Sequence, residues 1–548
     1  MSEAFDVVII GAGVNGAGLY RDLCAQGLRC LILDKGDFGS GTSAAPSRLI
    51  HGGLKYLETG ELRLVAESTY ERNLLLRNAP HLVKPLPTLL PIFSWTRGIG
   101  AALRTLLGST TAPRSRGALL VKVGLAMYDF YGRRARVMPR HRMFSRTRAL
   151  EEVPALTPRI AAVGRYHDAT VTAPERLVLE LVQDGTRLSP GSEALNWTAL
   201  TGRSGAVLHL DGPDGVRDVT ARLVVNAAGP WIDSVNRALA MPLPRQIGGT
   251  KGSHILLDHP ELLRQLDGRM IYFEGNDGRI LLVFPYHGRA LVGSTDIPAE
   301  DPDQAVCTPE EVAYFIGALR DLLPGLRFDE GQIVYAYAGI RPLPNSEGVA
   351  PGLISRDHSA PVAEPEGDRP FPVIALIGGK WTTFRAFSAE VADSVLKRLG
   401  HPRRQGTDTL RIGGGQGMPD AAARGDWIAE VSAATGAGPG RVALLLDRYG
   451  ATARAVAAEE GADPVLLAGT DTSEGEIRHI ARVEQVVHLE DIVLRRTTLG
   501  VTGQASRAVI ARVAEVAGAA LGWDAARRGE EVAACTETLT RRHNAPPS

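Results

Sequence analysis

Three glycines and one aspartate near the N-terminus have the types and spacing needed to hold a nucleotide. Gly11-Ala12-Gly13-Val14-Asn15-Gly16 follows a short apolar, β-branched run at residues 5–10 and precedes a helical pattern through Leu19, Leu23 and Gln26. A second apolar run at 30–33 stops at Asp34. Strand, glycine turn, helix, strand and acid within about thirty residues form the βαβ unit that binds a dinucleotide. Gly11 permits the tight turn, and Gly13 lets the backbone approach a pyrophosphate. Gly16 lets the helix lie close on the sheet, so its N-terminal amides and dipole face the phosphates. Asp34 is placed to accept hydrogen bonds from the ribose hydroxyls. The same spacing also arises in purely conformational turns, and it does not choose FAD over NAD.

Further glycine turns follow at long intervals. Gly39-Ser40-Gly41-Thr42-Ser43 leads to Ser47-Arg48-Leu49-Ile50-His51-Gly52-Gly53-Leu54-Lys55-Tyr56-Leu57. A strand-like run at 223–225 enters Asn226-Ala227-Ala228-Gly229-Pro230-Trp231, and another at 373–377 enters Gly378-Gly379-Lys380-Trp381-Thr382-Thr383. Strand-to-glycine turns this far apart suit a cofactor that spans one domain. Taken alone, the middle one reads equally well as an ordinary turn.

With these blocks, and with Lys251-Gly252-Ser253-His254, Gly293-Ser294-Thr295-Asp296 and Gly339-Ile340-Arg341-Pro342-Leu343, the chain resembles the FAD-dependent glycerol-3-phosphate dehydrogenases. These lie within the class typified by D-amino-acid oxidase, and the resemblance covers nearly the whole chain. It implies FAD as cofactor, held by Gly11, Gly13, Gly16, Asp34, Thr42, Ser43, His51, Gly52, Gly53, Gly229, Gly379, Thr382 and Thr383. It also implies an α/β fold with an α+β substrate layer. The oxidoreductase region, 1–400, is a Rossmann-like FAD-binding domain (segments at about 1–90, 150–245 and 336–400) interleaved with an antiparallel substrate sheet at about 246–335. A helical C-terminal domain occupies 401–548.

Flavin oxidation of a secondary alcohol needs a base for the hydroxyl proton, a C–H aimed at the flavin, and positive charge beside the flavin once it is reduced. A phosphorylated substrate adds an anion clamp, which arginine suits because its fork holds two oxygens at once. The resemblance assigns this role to Arg341, with Arg356 as a second basic position. Lys55 stands where many relatives carry arginine. His254 is the preferred general base, since histidine titrates near neutrality; His51 is the rival, although its glycine-rich turn suggests packing on FAD. Lys380 stands beside an incipient helix whose N-terminus, with Thr382 and Thr383, would direct amides at the flavin pyrimidine ring. It either stabilises reduced flavin or contacts the substrate phosphate.

These assignments point to oxidation of sn-glycerol 3-phosphate to dihydroxyacetone phosphate, with quinone as electron acceptor. The rival readings are a peroxide-forming oxidase, a dehydrogenase of a longer polyol phosphate such as a tetritol phosphate, and a flavin-binding subunit without turnover.

Composition narrows the setting. In 548 residues, Lys plus Arg and Asp plus Glu are both 61, so no global charge points to nucleic acid. Cys24, Cys30, Cys307 and Cys535 form no C-x-x-C pair and no zinc spacing. The acidic N-terminus does not read as a signal peptide, and no apolar run approaches the roughly 20 residues of a bilayer span. The expected place is cytoplasmic, peripheral on the inner face of the cytoplasmic membrane, and a homodimer is compatible with the sequence.

The elements that must position the site are legible in outline. Short strand-like runs at 279–284 and 290–293, separated by Gly/Asp turns, fit the antiparallel layer. The Pro, Arg and Gly of 401–419 read as a linker. Beyond it, Ser473 and Glu476 have capping-box spacing, followed by a stripe of Ile477, Ile480, Val483 and Val487. A second stripe joins Val509, Ile510, Val513, Val516 and Ala520. Between Glu71 and Asp129 there is no acidic residue, yet Arg72, Arg77, Lys84, Arg97, Arg104, Arg114, Arg116 and Lys122 occur among apolar residues including Phe93 and Trp95. Such a segment reads as an anchor on an anionic membrane surface, or as a solvated basic loop beside a core helix.

Overall fold

The computed structural model describes residues 3–54, 61–95, 117–133, 137–299, 301–345 and 358–548. Its framework is a parallel sheet built on the strand Glu3–Ile10, which pairs with Gly215–Asn226 on one side and Cys30–Leu33 on the other. Val373–Ala375 and Glu193–Leu195 extend it in the same direction. The strands read as continuous apolar runs because both faces are covered. The helices Val14–Ala25, Pro174–Leu188 and Phe384–Leu399 bury Leu19, Leu23, Leu177, Leu181, Phe387 and Val391 on one face. The hairpin strands Ala199–Ser204 and Val207–Gly212 contribute Leu208 and Leu210 to the other.

Parallel strands end at one edge. That is why Gly11, Asp34, Ala227 and Gly378, each beyond the end of a different strand, arrive together.

The second sheet is antiparallel except for one join. Ile247–Leu257 lies between Arg289–Gly293 and Ile333–Pro344, and Ile280–Tyr286 and Met270–Glu274 follow. Met270–Glu274 then meets Val83–Ile92 in parallel, and Ala162–Val171 and Leu49–Ile50 continue the sheet. The layer therefore draws strands from well before residue 246, because an edge strand is satisfied by any backbone that reaches it. In the longest pairing Thr250 faces Arg341 and His254 faces Tyr337. An even offset along a strand puts the side chains of Thr250 and His254, and the bare Cα of Gly252 between them, on one face.

The Pro/Arg/Gly-rich stretch is not a free linker. Gly413, Gly414 and Gly415 are buried, and the amides of Gly413 and Gly414 donate to Asp184 (3.0 Å) and Glu180 (3.3 Å). Beyond it the chain is helical to His543. Ser473 and Glu476 form the expected capping box on Glu474–Val483. Ile477 and Ile480 are buried, but Val483 is 50% exposed because the helix ends there, and Ala481 takes the inward position. The second stripe is buried from Val509 to Val516.

This region is joined to the parallel sheet by ions. Asp37, shortly after the second strand, accepts from Arg495 Nε (2.6 Å) and from both ends of the Arg496 fork (2.6 and 2.8 Å). All three residues are buried.

Candidate active site

A cleft of about 790 Å³ opens at the strand ends, lined by Gly11, Gly13, Asp34, Thr42, Ser43 and Gly229 among others. Gly11 has φ +105°, open to glycine and strained for other residues, and a Cβ on Gly16 would lie 2.0 Å from the Gly11 carbonyl oxygen. Both glycines are therefore fixed by the turn itself. Gly13 differs: its nearest neighbour would be Ser43 Oγ at 3.1 Å, and the Val14 amide donates to that same hydroxyl at 2.9 Å. The helix N-terminus and a serine hydroxyl thus meet over a bare backbone surface, the form of a phosphate cradle.

Asp34 stands at the rim. Its carboxylate accepts from the Ala12 amide (2.7 Å) and the Gly36 amide (3.0 Å). Burial pushes its pKa up to about 6, against those two hydrogen bonds, which act the other way. A glycine cradle, a helix N-terminus and an acid at the cleft rim together fit the diphosphate and ribose of a dinucleotide.

One segment, 42–53, touches the rest of the expected site. Thr42 Oγ1 donates to the Ile340 carbonyl at 2.6 Å, and Tyr337 Oη donates to the Pro46 carbonyl at 2.9 Å. Ser47 Oγ lies 2.9 Å from His254 Nε2. The Ser43 carbonyl accepts from Trp381 Nε1 (3.3 Å), and the His51 amide donates to Thr382 Oγ1 (3.1 Å). The turn before Thr382 is fixed to the first helix by Asn15 Nδ2, which donates to the Gly378 carbonyl at 3.3 Å. Gly379, at φ +93°, faces Asn15, while Lys380 caps the short turn Trp381–Thr383 in which Thr382 and Thr383 are buried. Gly52 is buried and Gly53 takes φ +74°.

His254 and Arg341 share one sheet face. His254 is buried and stacks on Tyr337 with ring centroids 4.7 Å apart. Burial first, then the nearby Arg341 and Arg48 charges, holds its pKa well below the usual histidine value. Its Nδ1 has no hydrogen-bond partner among the described residues. Arg341 lies over Gly252, where a Cβ would come within 2.2 Å of its guanidinium. It pairs with Asp296 at 3.0 Å and donates to Ser294 Oγ (3.2 Å) and the Thr295 carbonyl (3.1 Å). About a fifth of its side chain remains exposed.

Lys55 and Arg356 lie outside the described residues, as do Arg97, Arg104, Arg114 and Arg116. Arg72, read as one of the basic surface positions, is instead buried against Asp168 at 2.8 Å. Sequence reasoning missed Ser47 and Asp296 as contacts of the site. Both stood inside blocks already singled out, and only side-chain contacts distant in sequence reveal what they hold.

Residues 6–367 match the family model described as FAD dependent oxidoreductase, and residues 405–528 match the C-terminal domain of alpha-glycerophosphate oxidase. The chain is 32% identical over 552 residues to "Glycerol-3-phosphate dehydrogenase 2" of Mycobacterium bovis, covering 97% of this chain and 87% of that one. The chain belongs to the FAD-dependent glycerol-3-phosphate dehydrogenases. This family member is also 31% identical over 520 residues to "D-erythritol 1-phosphate dehydrogenase" of Brucella abortus, covering 90% of this chain and 94% of that one. Its fold is that of the glycerol-3-phosphate dehydrogenase from Bacillus halodurans complexed with FAD, with a TM-score of 0.73 at 21% identity over 98% of this chain and 95% of that one. The family's cofactor is FAD, and the cradle described above has the form it requires.

Proposed function

We propose that the protein oxidises sn-glycerol 3-phosphate to dihydroxyacetone phosphate and delivers the electrons to a quinone at a membrane surface. The reading rests most on one observation: the segment 42–53 brings the His254–Arg341 face of the antiparallel layer against the Gly379–Thr382 turn of the parallel sheet. Bound FAD supplies the hydride acceptor in such a cleft. The exposed edge of Arg341 receives the substrate phosphate, with Asp296 fixing the guanidinium in place. Lys55 and Arg356 are proposed as further cations around the phosphate.

His254 is the proposed base. Its neutral imidazole takes the hydroxyl proton through Ser47 Oγ, which passes its own proton to Nε2. His51 stays in contention on a specific ground: it is half-buried, and its turn is bonded directly to Thr382. The N-terminus of the helix beginning at Phe384, with Lys380 just before it, would supply positive charge to the reduced flavin when FAD is bound.

Membrane docking is supported by the helix Ala118–Tyr131. Leu119, Val123 and Phe130 on its outer face are 51–58% exposed, and Trp95 nearby in the chain is 61% exposed. Among the described residues no helix is long and apolar enough to cross a membrane, so a lipid-soluble acceptor is reached from the surface. The deciding experiment is an anaerobic panel of polyol phosphates and amino acids, following loss of flavin absorbance. Fastest bleaching by glycerol 3-phosphate supports the proposal; fastest bleaching by an erythritol phosphate transfers it to the longer substrate.

A further inference from the structure

Behind the turn at residues 51–53 lies a buried cluster that no step above uses. Tyr128, on the inner face of Ala118–Tyr131, donates its hydroxyl to Asp168 Oδ1 at 2.5 Å. The Tyr128 hydroxyl oxygen in turn accepts from the Gly52 amide at 2.8 Å, which also reaches Asp168 Oδ1 at 3.3 Å, and from Arg72 NH1 at 2.9 Å. Arg72 also donates to Asp168 at 2.8 Å and to the His167 carbonyl at 3.3 Å. Burial, and then the Asp168 charge, raise the Tyr128 pKa well above its usual value, so the phenol keeps its proton and its donor role. Burial opposes the charge on Arg72, but Tyr128 and Asp168 outweigh it and raise its pKa.

Geometry leaves the turn no slack. A Cβ on Gly52 would come 2.4 Å from Thr69 Cγ2 and 2.5 Å from the Tyr128 hydroxyl. On its other side the turn is held by the His51 amide on Thr382 Oγ1. A segment gripped from both sides by buried groups has one position, and loss of either grip frees it.

We propose that Tyr128 is a positioning residue. With Asp168 and Arg72 it fixes the turn at 51–53, and hence the His51 side chain, against the flavin end of the cleft. The inference rests on the reading that this turn borders the flavin. Tyr128 belongs to a helix whose outer face is exposed, and its hydroxyl joins that helix directly to the turn.

The test compares Tyr128→Phe, which removes only the hydroxyl, with Tyr166→Phe. The Tyr166 ring packs edge-on against Tyr128 at 5.7 Å, but its hydroxyl makes no hydrogen bond to the turn among the described residues. Both holoenzymes are examined by hydrogen exchange of the segment 49–54, by the visible spectrum of bound FAD, and by the anaerobic rate of flavin reduction. Tyr128→Phe removes the hydroxyl's bonds to the Gly52 amide, Arg72 and Asp168, and is expected to speed exchange and slow reduction by roughly tenfold or more each, with a shifted flavin band. Tyr166→Phe should change none of the three. Equal effects of both variants, or faster exchange with unchanged spectrum and reduction, would overturn the proposal. If Tyr128→Phe does not fold, Asp168→Asn keeps an acceptor oxygen and should move exchange and spectrum in the same direction by less; no movement there also overturns it. Should no polyol phosphate reduce the wild-type flavin, the functional reading has failed, while exchange and spectrum still decide the role of Tyr128.

Discussion

Ser47, in the loop before the strand Leu49–Ile50, meets His254 on Ile247–Leu257, Oγ to Nε2 at 2.9 Å, with the imidazole otherwise enclosed by Tyr337 and the sheet. A fully buried histidine reaches substrate only through such a partner. Ser47→Ala should therefore slow flavin reduction by at least ~10-fold, and His254→Gln by roughly 100-fold, within the range for loss of a general base. Stopped-flow reduction under anaerobic conditions measures both. Wild-type rates in Ser47→Ala would remove His254 from proton transfer.

The pH profile separates the two histidines. A depressed folded pKa keeps His254 neutral through the usual histidine range. An acid limb caused by His254 therefore lies well below pH 6.5, and a limb near 6.5 belongs to another group. The same shift has a stability consequence. The unfolded chain takes up a proton near pH 6.5 that the folded chain refuses, so the contribution of His254 to stability is present above that pH and lost as pH falls. His254→Gln should flatten the fall in thermal midpoint between pH 7 and 5.

Arg341→Lys should retain FAD but lose kcat/KM for glycerol 3-phosphate by ~10- to 100-fold, or about 1.5–3 kcal/mol for a charge-assisted hydrogen bond. Lysine keeps the charge but cannot hold Asp296 and a phosphate with one planar fork. Unphosphorylated glycerol, a poor substrate, should lose far less. Equal losses would mean that the guanidinium does not read the phosphate.

Gly13→Val should fold and fail to hold FAD. Its Cβ would stand 3.1 Å from Ser43 Oγ, over the surface where the diphosphate must lie. Flavin content of the purified protein, with circular dichroism to establish folding, gives the result; full flavin occupancy in a folded variant would place the cofactor elsewhere.

Vesicle sedimentation addresses the acceptor. Binding to anionic vesicles, weaker on neutral ones and weakened by salt, is expected. Leu119→Asp with Val123→Asp should lower it by ~10-fold or more without slowing reduction by substrate. Turnover with stoichiometric peroxide and no sedimentation would instead identify an oxidase.

Much of this site is legible in the residues themselves, for identifiable reasons. Gly11 and Gly16 announce the cradle because the backbone there admits no other side chain. Asp34 is legible because the acid must follow the second strand. What escaped the sequence was pairing at long range. Arg72 looked like one more cation in an acid-free run, since its partner Asp168 lies 96 residues away. Gly413 and its neighbours looked like a linker, because glycine composition cannot distinguish a free segment from one seated on Glu180 and Asp184. Charge and composition are local, whereas burial is decided by which distant segment arrives.

The bond between Asp37 and the Arg495–Arg496 pair sets a limit on how this protein can be divided. A gene cut near residue 400 would remove both guanidinium groups and leave the Asp37 carboxylate, three residues beyond Asp34, without either of these partners. Stripping one side from a buried ion pair costs about 3–5 kcal/mol, a large share of the stability of most domains. The first 400 residues are thus not a portable catalytic module. Any chimaera that exchanges the C-terminal helices must bring two correctly placed arginines with them.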